Sequence, residues 1–257
     1  MPATRRSSLA IAAALLAVAA NTAPALAASA PAVPNAPMIP SGSAPHLVGP
    51  HGEILHSSSS NWSGYATTGA KFTSVSASWV QPTATCDGND SYSSFWVGLD
   101  GDGSDSVEQT GTEVDCSEGS PLYSSWYEMY PAYPVNFNDA VRPGDHFTAS
   151  VTAGDGGSFT LKLSDTTQGW SHTVKKTLSN AALASAEIIA EAPSDASGPL
   201  PLTNFGTVDF TGAKVNDKPL GSFNPDNITM ATNGSTLATT SPITDSKDFS
   251  VSWKRSS

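Results

Sequence analysis

The chain reads as all-β, a two-sheet antiparallel β-sandwich, on three observations. Short segments that alternate apolar and polar residues recur from Asn61 to the C-terminus, each bounded by Gly, Pro, Asn or Ser. Turn formers are abundant and charge is sparse, with 21 Gly, 19 Pro and 14% charged residues. Residues 58–257 are long enough for one substantial core and fall within the usual size of a single all-β domain.

Taken in order, residues 61–66 and 74–80 alternate, and the second segment stops at Gln81-Pro82. The stretch 95–111, FWVGLDGDGSDSVEQTG, opens as a strand over 95–100, breaks into a Gly/Asp/Ser turn over 101–106 and resumes at Val107. A period of two puts Val107, Gln109 and Gly111 on one face and Glu108 and Thr110 on the other. A carboxamide between an apolar residue and a glycine, on a face that should be buried or line a cleft, needs a reason. Residues 123–130 alternate strongly, with Trp126, Glu128 and Tyr130 sharing a face. Residues 146–152 and 158–163 form a hairpin pattern across Gly154-Asp155-Gly156-Gly157, followed by strand patterns at 171–177, 204–210, 228–232 and 249–253. One segment runs against the grain: 180–192, NAALASAEIIAEA, has the propensity of a capped helix. Helix or strand, Glu187 and Glu191 fall on one face.

The N-terminus carries an address. Arg5 and Arg6, an apolar run from Leu9 to Ala20 and Ala25-Leu26-Ala27 make a charged region, a core too short to span a bilayer and a small-x-small cleavage site. Residues 1–27 are therefore expected to be a signal peptide for export to the extracellular space, with a twin-arginine signal as the alternative reading of Thr4-Arg5-Arg6. Residues 28–57 are Pro-, Ala- and Ser-rich and read as a propeptide or linker. His46, His51 and His56 recur there at a spacing that suits neither one helical face nor a zinc finger; charging in acid, they suggest an acid-sensitive propeptide. Losing the signal removes two of 12 basic residues and none of 23 acidic ones, taking the net charge from −11 to −13. Such a domain repels nucleic acid and anionic membrane, suits low pH and is expected to be a monomer. In an exported chain Cys86 and Cys116 should form one disulfide, closing a loop that contains Trp96 and Gln109.

Several chemistries lack their signatures. There is no Asp-Thr-Gly or Asp-Ser-Gly, no Gly-x-Ser-x-Gly and no His-Glu-x-x-His, and His146 and His172 are the only histidines after residue 57. The acidic run Asp100 to Asp105 resembles a calcium loop but lacks Gly at the sixth position and Glu at the twelfth, so no metal or cofactor is expected. Three glycosylation sequons begin at Asn61, Asn227 and Asn233. What remains is carboxylates and amides among aromatics, which on pattern alone gives an exported acidic β-sandwich with a polar-aromatic cleft.

Five motifs in order then carry a resemblance: Asn61-Trp62-Ser63-Gly64, Trp96 to Gly101 (WVGLDG), Gln109-Thr110-Gly111, Trp126 to Pro131 (WYEMYP) and Ala186 to Glu191 (AEIIAE). Over about residue 60 to the end, the chain resembles the glutamic peptidases, the eqolisin or G1 family. The resemblance implies a concanavalin A-like lectin/glucanase sandwich and an acid endopeptidase acting on proteins or peptides through a Gln109/Glu191 dyad. It implies that 186–191 is a strand despite its helix propensity, and that Trp96, Asp100, Trp126 and Glu128 form the supporting shell and substrate cleft. Ile188, where an aromatic is usual, and Ala192-Pro193 depart from the family pattern. In that mechanism Glu191 is the general base and should keep a pKa near or below about 4.3, while Gln109 cannot titrate and stays a donor in acid. The alternatives are a glycoside hydrolase or lectin of the same architecture and an inactive binding protein. A hydrolase of glycosides needs two carboxyls, which Gln109 with Glu191 does not supply.

Overall fold

The computed structural model describes residues 47–48, 54–195 and 198–257. The expected signal peptide, His46 and His51 lie outside the described residues, as does the side chain of His56. The strands are β1 (Leu47–Val48), β2 (Ile54–Ser59), β3 (Trp62–Thr67), β4 (Ser74–Val80), β5 (Ser91–Leu99), β6 (Val107–Ser117), β7 (Ser120–Tyr130), β8 (Val135–Asn136), β9 (His146–Ala153) and β10 (Ser158–Asp165). They continue as β11 (Trp170–Thr177), β12 (Ala186–Glu191), β13 (Ser194–Asp195), β14 (Gly198–Pro199), β15 (Thr207–Val215), β16 (Lys218–Pro219), β17 (Asp226–Thr232), β18 (Ser235–Thr240) and β19 (Phe249–Trp253). Two short 3-10 turns are the only helical elements among the described residues.

Pairing arranges the longer strands in two layers. One runs β2-β17-β3-β12-β5-β6-β7-β8 and carries the site; the other runs β18-β19-β15-β4-β9-β10-β11. Apart from the parallel β2–β17 contact, these ladders are antiparallel. At one edge β17 pairs with β18 and joins the layers into one continuous sheet. Pairing begins before residue 58, where β1 meets β2.

Between the layers lies the main core. The alternate residues Phe95, Val97 and Leu99 of β5, Ile188 and Ala190 of β12, and Val114 of β6 pack there with Trp79, Phe147, Val151, Leu161 and Phe210 of the other layer. Burying a Leu- or Phe-sized side chain contributes about 1.5–3 kcal/mol, which makes this apolar face the main source of stability. The disulfide Cys86–Cys116 is present and ties the segment before β5 to the end of β6.

Residues 186–191 form the central strand β12, paired on both sides and buried at every position. Helix propensity amounts to a few tenths of a kcal/mol per residue, and burial of both faces between β3 and β5 exceeds it. The remainder of the helix pattern, residues 181–185, is irregular, and its chain is held by Asp100.

Candidate active site

The outer face of the first layer is polar and aromatic. Cross-strand partners point to the same side of a sheet, so the registers of β3, β12, β5, β6 and β7 set three rows on this face. The first runs Trp62, Glu191, Ser94, Glu113, Ser124. The second runs Gly64, Ile189, Trp96, Gly111, Trp126, and the third Ala66, Glu187, Gly98, Gln109, Glu128. Glu191 and Gln109 thus sit diagonally on either side of Trp96, as period two allows for their strands. Gly111 is required between the two tryptophans: a Cβ there would lie 2.1 Å from the Phe95 carbonyl oxygen and 2.7 Å from Trp96 Cβ.

Each side chain is fixed by a neighbour. Trp62 meets Trp96 edge-on, with centroids 5.1 Å apart. Trp96 Nε1 donates to Glu191 Oε2 at 2.8 Å, and Asn61 Nδ2 donates to Glu191 Oε1 at 3.0 Å. Ser59 Oγ in turn donates to Asn61 Oδ1 at 3.1 Å, fixing the carboxamide so that its NH2 faces Glu191. Gln109 Nε2 donates to Glu128 Oε2 at 2.6 Å, which leaves its second N–H and its Oε1 for another partner; Oε1 accepts no hydrogen bond. Glu191, Glu128 and Gln109 are all within 1% of complete burial.

The site is unusually rich in carboxyls held against their ordinary ionisation. Burial pushes Glu191 well above the usual carboxylate range; the Trp62 indole works against burial, the Glu128 charge adds to it, and the Trp96 and Asn61 bonds oppose it. The expectation that Glu191 stays near or below the ordinary glutamate value is therefore corrected: its donors do not outweigh the loss of water around a wholly enclosed carboxyl. Glu187 is likewise raised by burial. Glu113 is raised by burial and then by the charges of Asp115, Glu191 and Glu128, and Asp115 is raised by burial as well. Glu113 and Asp115 share the Gln109 face of β6, four and six residues along.

The other expected site residues are placed as follows. Trp126 lies in the second row and Glu128 in the third, both buried on the site face. Asp100 is buried where β5 ends, at φ 62°, and accepts from the Leu183 and Ala184 amides at 2.8 and 2.6 Å. Its work is to hold the chain entering β12, and it does not line the rows. Asn61, Glu113 and Asp115 lie with Trp62 on this face and are not legible as site residues from the pattern alone. Asn61 and Trp62 stand in a quoted motif; extending the Gln109 periodicity beyond Gly111 sets the face of Glu113 and Asp115 but not their role.

A family model described as Peptidase A4 matches residues 60–253. The chain belongs to that family. It is 31% identical over 173 residues to scytalidopepsin B of Scytalidium lignicola, an alignment covering 65% of this chain and 60% of that relative's length. Among solved structures it resembles scytalido-glutamic peptidase bound to a transition-state analogue inhibitor, with TM-score 0.64 and 27% identity over 76% of this chain and 98% of that one. It also resembles aspergilloglutamic peptidase from Aspergillus niger, with TM-score 0.54 and 26% identity over 63% of this chain and 99% of that one. Among the described residues no helix is long and apolar enough to cross a membrane.

Proposed function

We propose that the protein is an exported acid endopeptidase that hydrolyses peptide bonds with a Gln109/Glu191 dyad. The observation that carries this reading is the pairing of two preorganised groups on one buried aromatic face. Glu191 is oriented by Asn61 and Trp96, and Gln109 is oriented by Glu128. Membership of the peptidase family supports the reaction class, and residues 1–27 are assigned as a signal peptide and 28–57 as a propeptide or linker whose last residues, 54–57, join β2 of the domain.

The chemistry follows from what each side chain can do. A water between the two groups donates to Glu191 and to Gln109 Oε1, and its lone pair faces the scissile carbonyl. Glu191 takes a proton as the C–O bond forms and returns it to the amine as the C–N bond breaks. The free N–H of Gln109 donates to the oxyanion, a contribution of roughly 3–4 kcal/mol by comparison with other oxyanion donors. No protonation state of Gln109 is lost in acid. The Asn61 and Trp96 donors favour the carboxylate form of Glu191 that accepts the proton from water, against the burial that opposes it. The paired-carboxyl alternative of a glycoside hydrolase is less well served, because the partner of Glu191 in this geometry is an amide.

The test is cleavage of casein at about pH 3–4, below the ordinary glutamate value, by wild type, Glu191→Gln and Gln109→Ala. The expected result is activity in the wild type, with losses of about 10²–10⁴-fold for Glu191→Gln and about 10²–10³-fold for Gln109→Ala. Wild-type activity that persists in either variant would remove the dyad, and a folded wild type without activity would remove the peptidase reading.

A further inference from the structure

The surroundings of Glu191 are set from outside its own strand, and the chain of contacts that sets them begins at Ser59. Ser59 is the last residue of β2, whose parallel ladder with β17 pairs Ser57, Ser58 and Ser59 with Ile228, Thr229 and Met230. The chain then turns through Ser60 and Asn61 into β3. Ser59 caps this turn. Its Oγ accepts from the backbone amides of Asn61 and Trp62 at 3.3 and 3.1 Å, two and three residues ahead. With its lone pairs engaged there, its hydroxyl hydrogen is directed to Asn61 Oδ1 at 3.1 Å.

That bond decides which end of the carboxamide meets Glu191. The Asn61 main-chain carbonyl accepts from the Ala192 amide at 2.8 Å, which ties its backbone to the residue after Glu191. Side chain and carboxyl therefore stay neighbours whichever way the amide faces. A hydroxyl whose lone pairs are taken cannot accept from an NH2 group, so Oδ1 faces Ser59 and Nδ2 faces Glu191 Oε1 at 3.0 Å. Turned over, the same carboxamide would offer Glu191 an acceptor, which holds a protonated carboxyl and disfavours a carboxylate.

The other groups facing Glu191 make that choice matter. Burial and the charge of Glu128 on β7 oppose its carboxylate, and Glu113 on β6 couples to it as a second like charge. Against them stand the Trp62 and Trp96 indoles and the Asn61 NH2. We propose that Ser59 is a positioning residue of the general base: by fixing the Asn61 carboxamide it presents a donor to Glu191 and so favours the carboxylate that takes a proton from water. The proposal rests on the peptidase reading above and extends it to a hydroxyl at the end of β2, ahead of the first family motif.

The experiment is the pH dependence of kcat on one peptide substrate in acid for wild type, Ser59→Ala, Asn61→Ala and the double variant, with KM and a melting temperature for each. Ser59→Ala should move the acid limb of kcat up by about one to two pH units, which below the limb is a loss of about 10- to 100-fold, and leave KM unchanged. Asn61→Ala should move the limb in the same direction. Adding Ser59→Ala to Asn61→Ala should move it no further, because the hydroxyl acts through the carboxamide. Should Ser59→Ala fail to fold, Ser59→Thr, which keeps the hydroxyl, should leave the limb in place, and Ser59→Cys, a weaker donor, should move it up. A Ser59 that only caps its turn would lower the melting temperature equally in both backgrounds with the limb unmoved, and that result overturns the inference while the dyad stands. A folded wild type that cleaves nothing overturns both.

Discussion

The two faces of strands β5, β6 and β12 are built from alternate residues of the same segments, are equally buried, and are opposite in chemistry. The inner face carries Phe95, Val97, Leu99, Val114, Ile188 and Ala190, all apolar and interlocked with the second layer. The outer face carries Trp96, Gln109, Glu113, Glu187 and Glu191, where carboxyls are kept from ionising normally. Burial alone does not distinguish a core from a site. What distinguishes them is whether the buried groups are satisfied, since a buried polar atom without its full complement of partners costs about 1–3 kcal/mol. The inner face stabilises the fold; the outer face draws on that stability to hold reactive groups in place.

Breaking the inner face should give the largest change in stability. Phe95→Ala removes a fully buried ring that meets Phe205 edge-on at 5.2 Å, and should cost about 3–5 kcal/mol in urea unfolding. A loss below about 1 kcal/mol would mean that this face is not the core of the fold.

One carboxyl crosses the division and sharpens it. Glu108 points inward, is buried, and is pushed up to about 8 by burial, with the Asp100 charge adding to it and Ser106 opposing. A carboxyl whose folded pKa exceeds its unfolded one contributes stability fully below the ordinary value of 4.5, and that contribution is lost as pH rises toward about 8. Glu108→Gln should therefore flatten the decline in stability over that window, by up to about 5 kcal/mol between its ends. Equal slopes in chemical unfolding of wild type and variant would show that Glu108 does not carry it.

The smallest effect is electrostatic and confined to the outer face. The Glu128 charge raises Glu191, so Glu128→Gln should lower the pKa of Glu191 and move the acid limb of kcat to lower pH. Movement of that limb upward would contradict the arrangement of charges around Glu191.

Much of the fold is legible in the sequence because alternation is. The segments 74–80 and 249–253 coincide with β4 and β19, and the hairpin over 154–157 is where the pattern set it. Strand β18, STLATT, escapes because hydroxyl residues occupy most of its positions, and β15 extends to Val215 past the expected end because its outward residues are polar. Strand β12 could not be separated from a helix by propensity, since its two paired neighbours lie far away in the chain. The same distance hides Asn61 as a partner of Glu191, 130 residues on. Gln109 and Glu191 were named through a family resemblance, and their registers on one face are what the sequence alone did not provide. The ionisation of Glu191 is not legible in the sequence for a related reason: it depends on how completely other strands enclose it.

The measurement that bears most directly on the two-faced account is Glu191→Gln, read at once for casein cleavage in acid and for melting temperature. The account gives a loss of about 10²–10⁴-fold in activity in a protein that stays folded, with any fall in melting temperature limited to the one contact that the new carboxamide NH2 makes with a donor, Asn61 Nδ2 or Trp96 Nε1. Cleavage that survives, or a melting temperature that falls in step with activity, would mean that Glu191 belongs to the structural face and that the chemistry lies elsewhere.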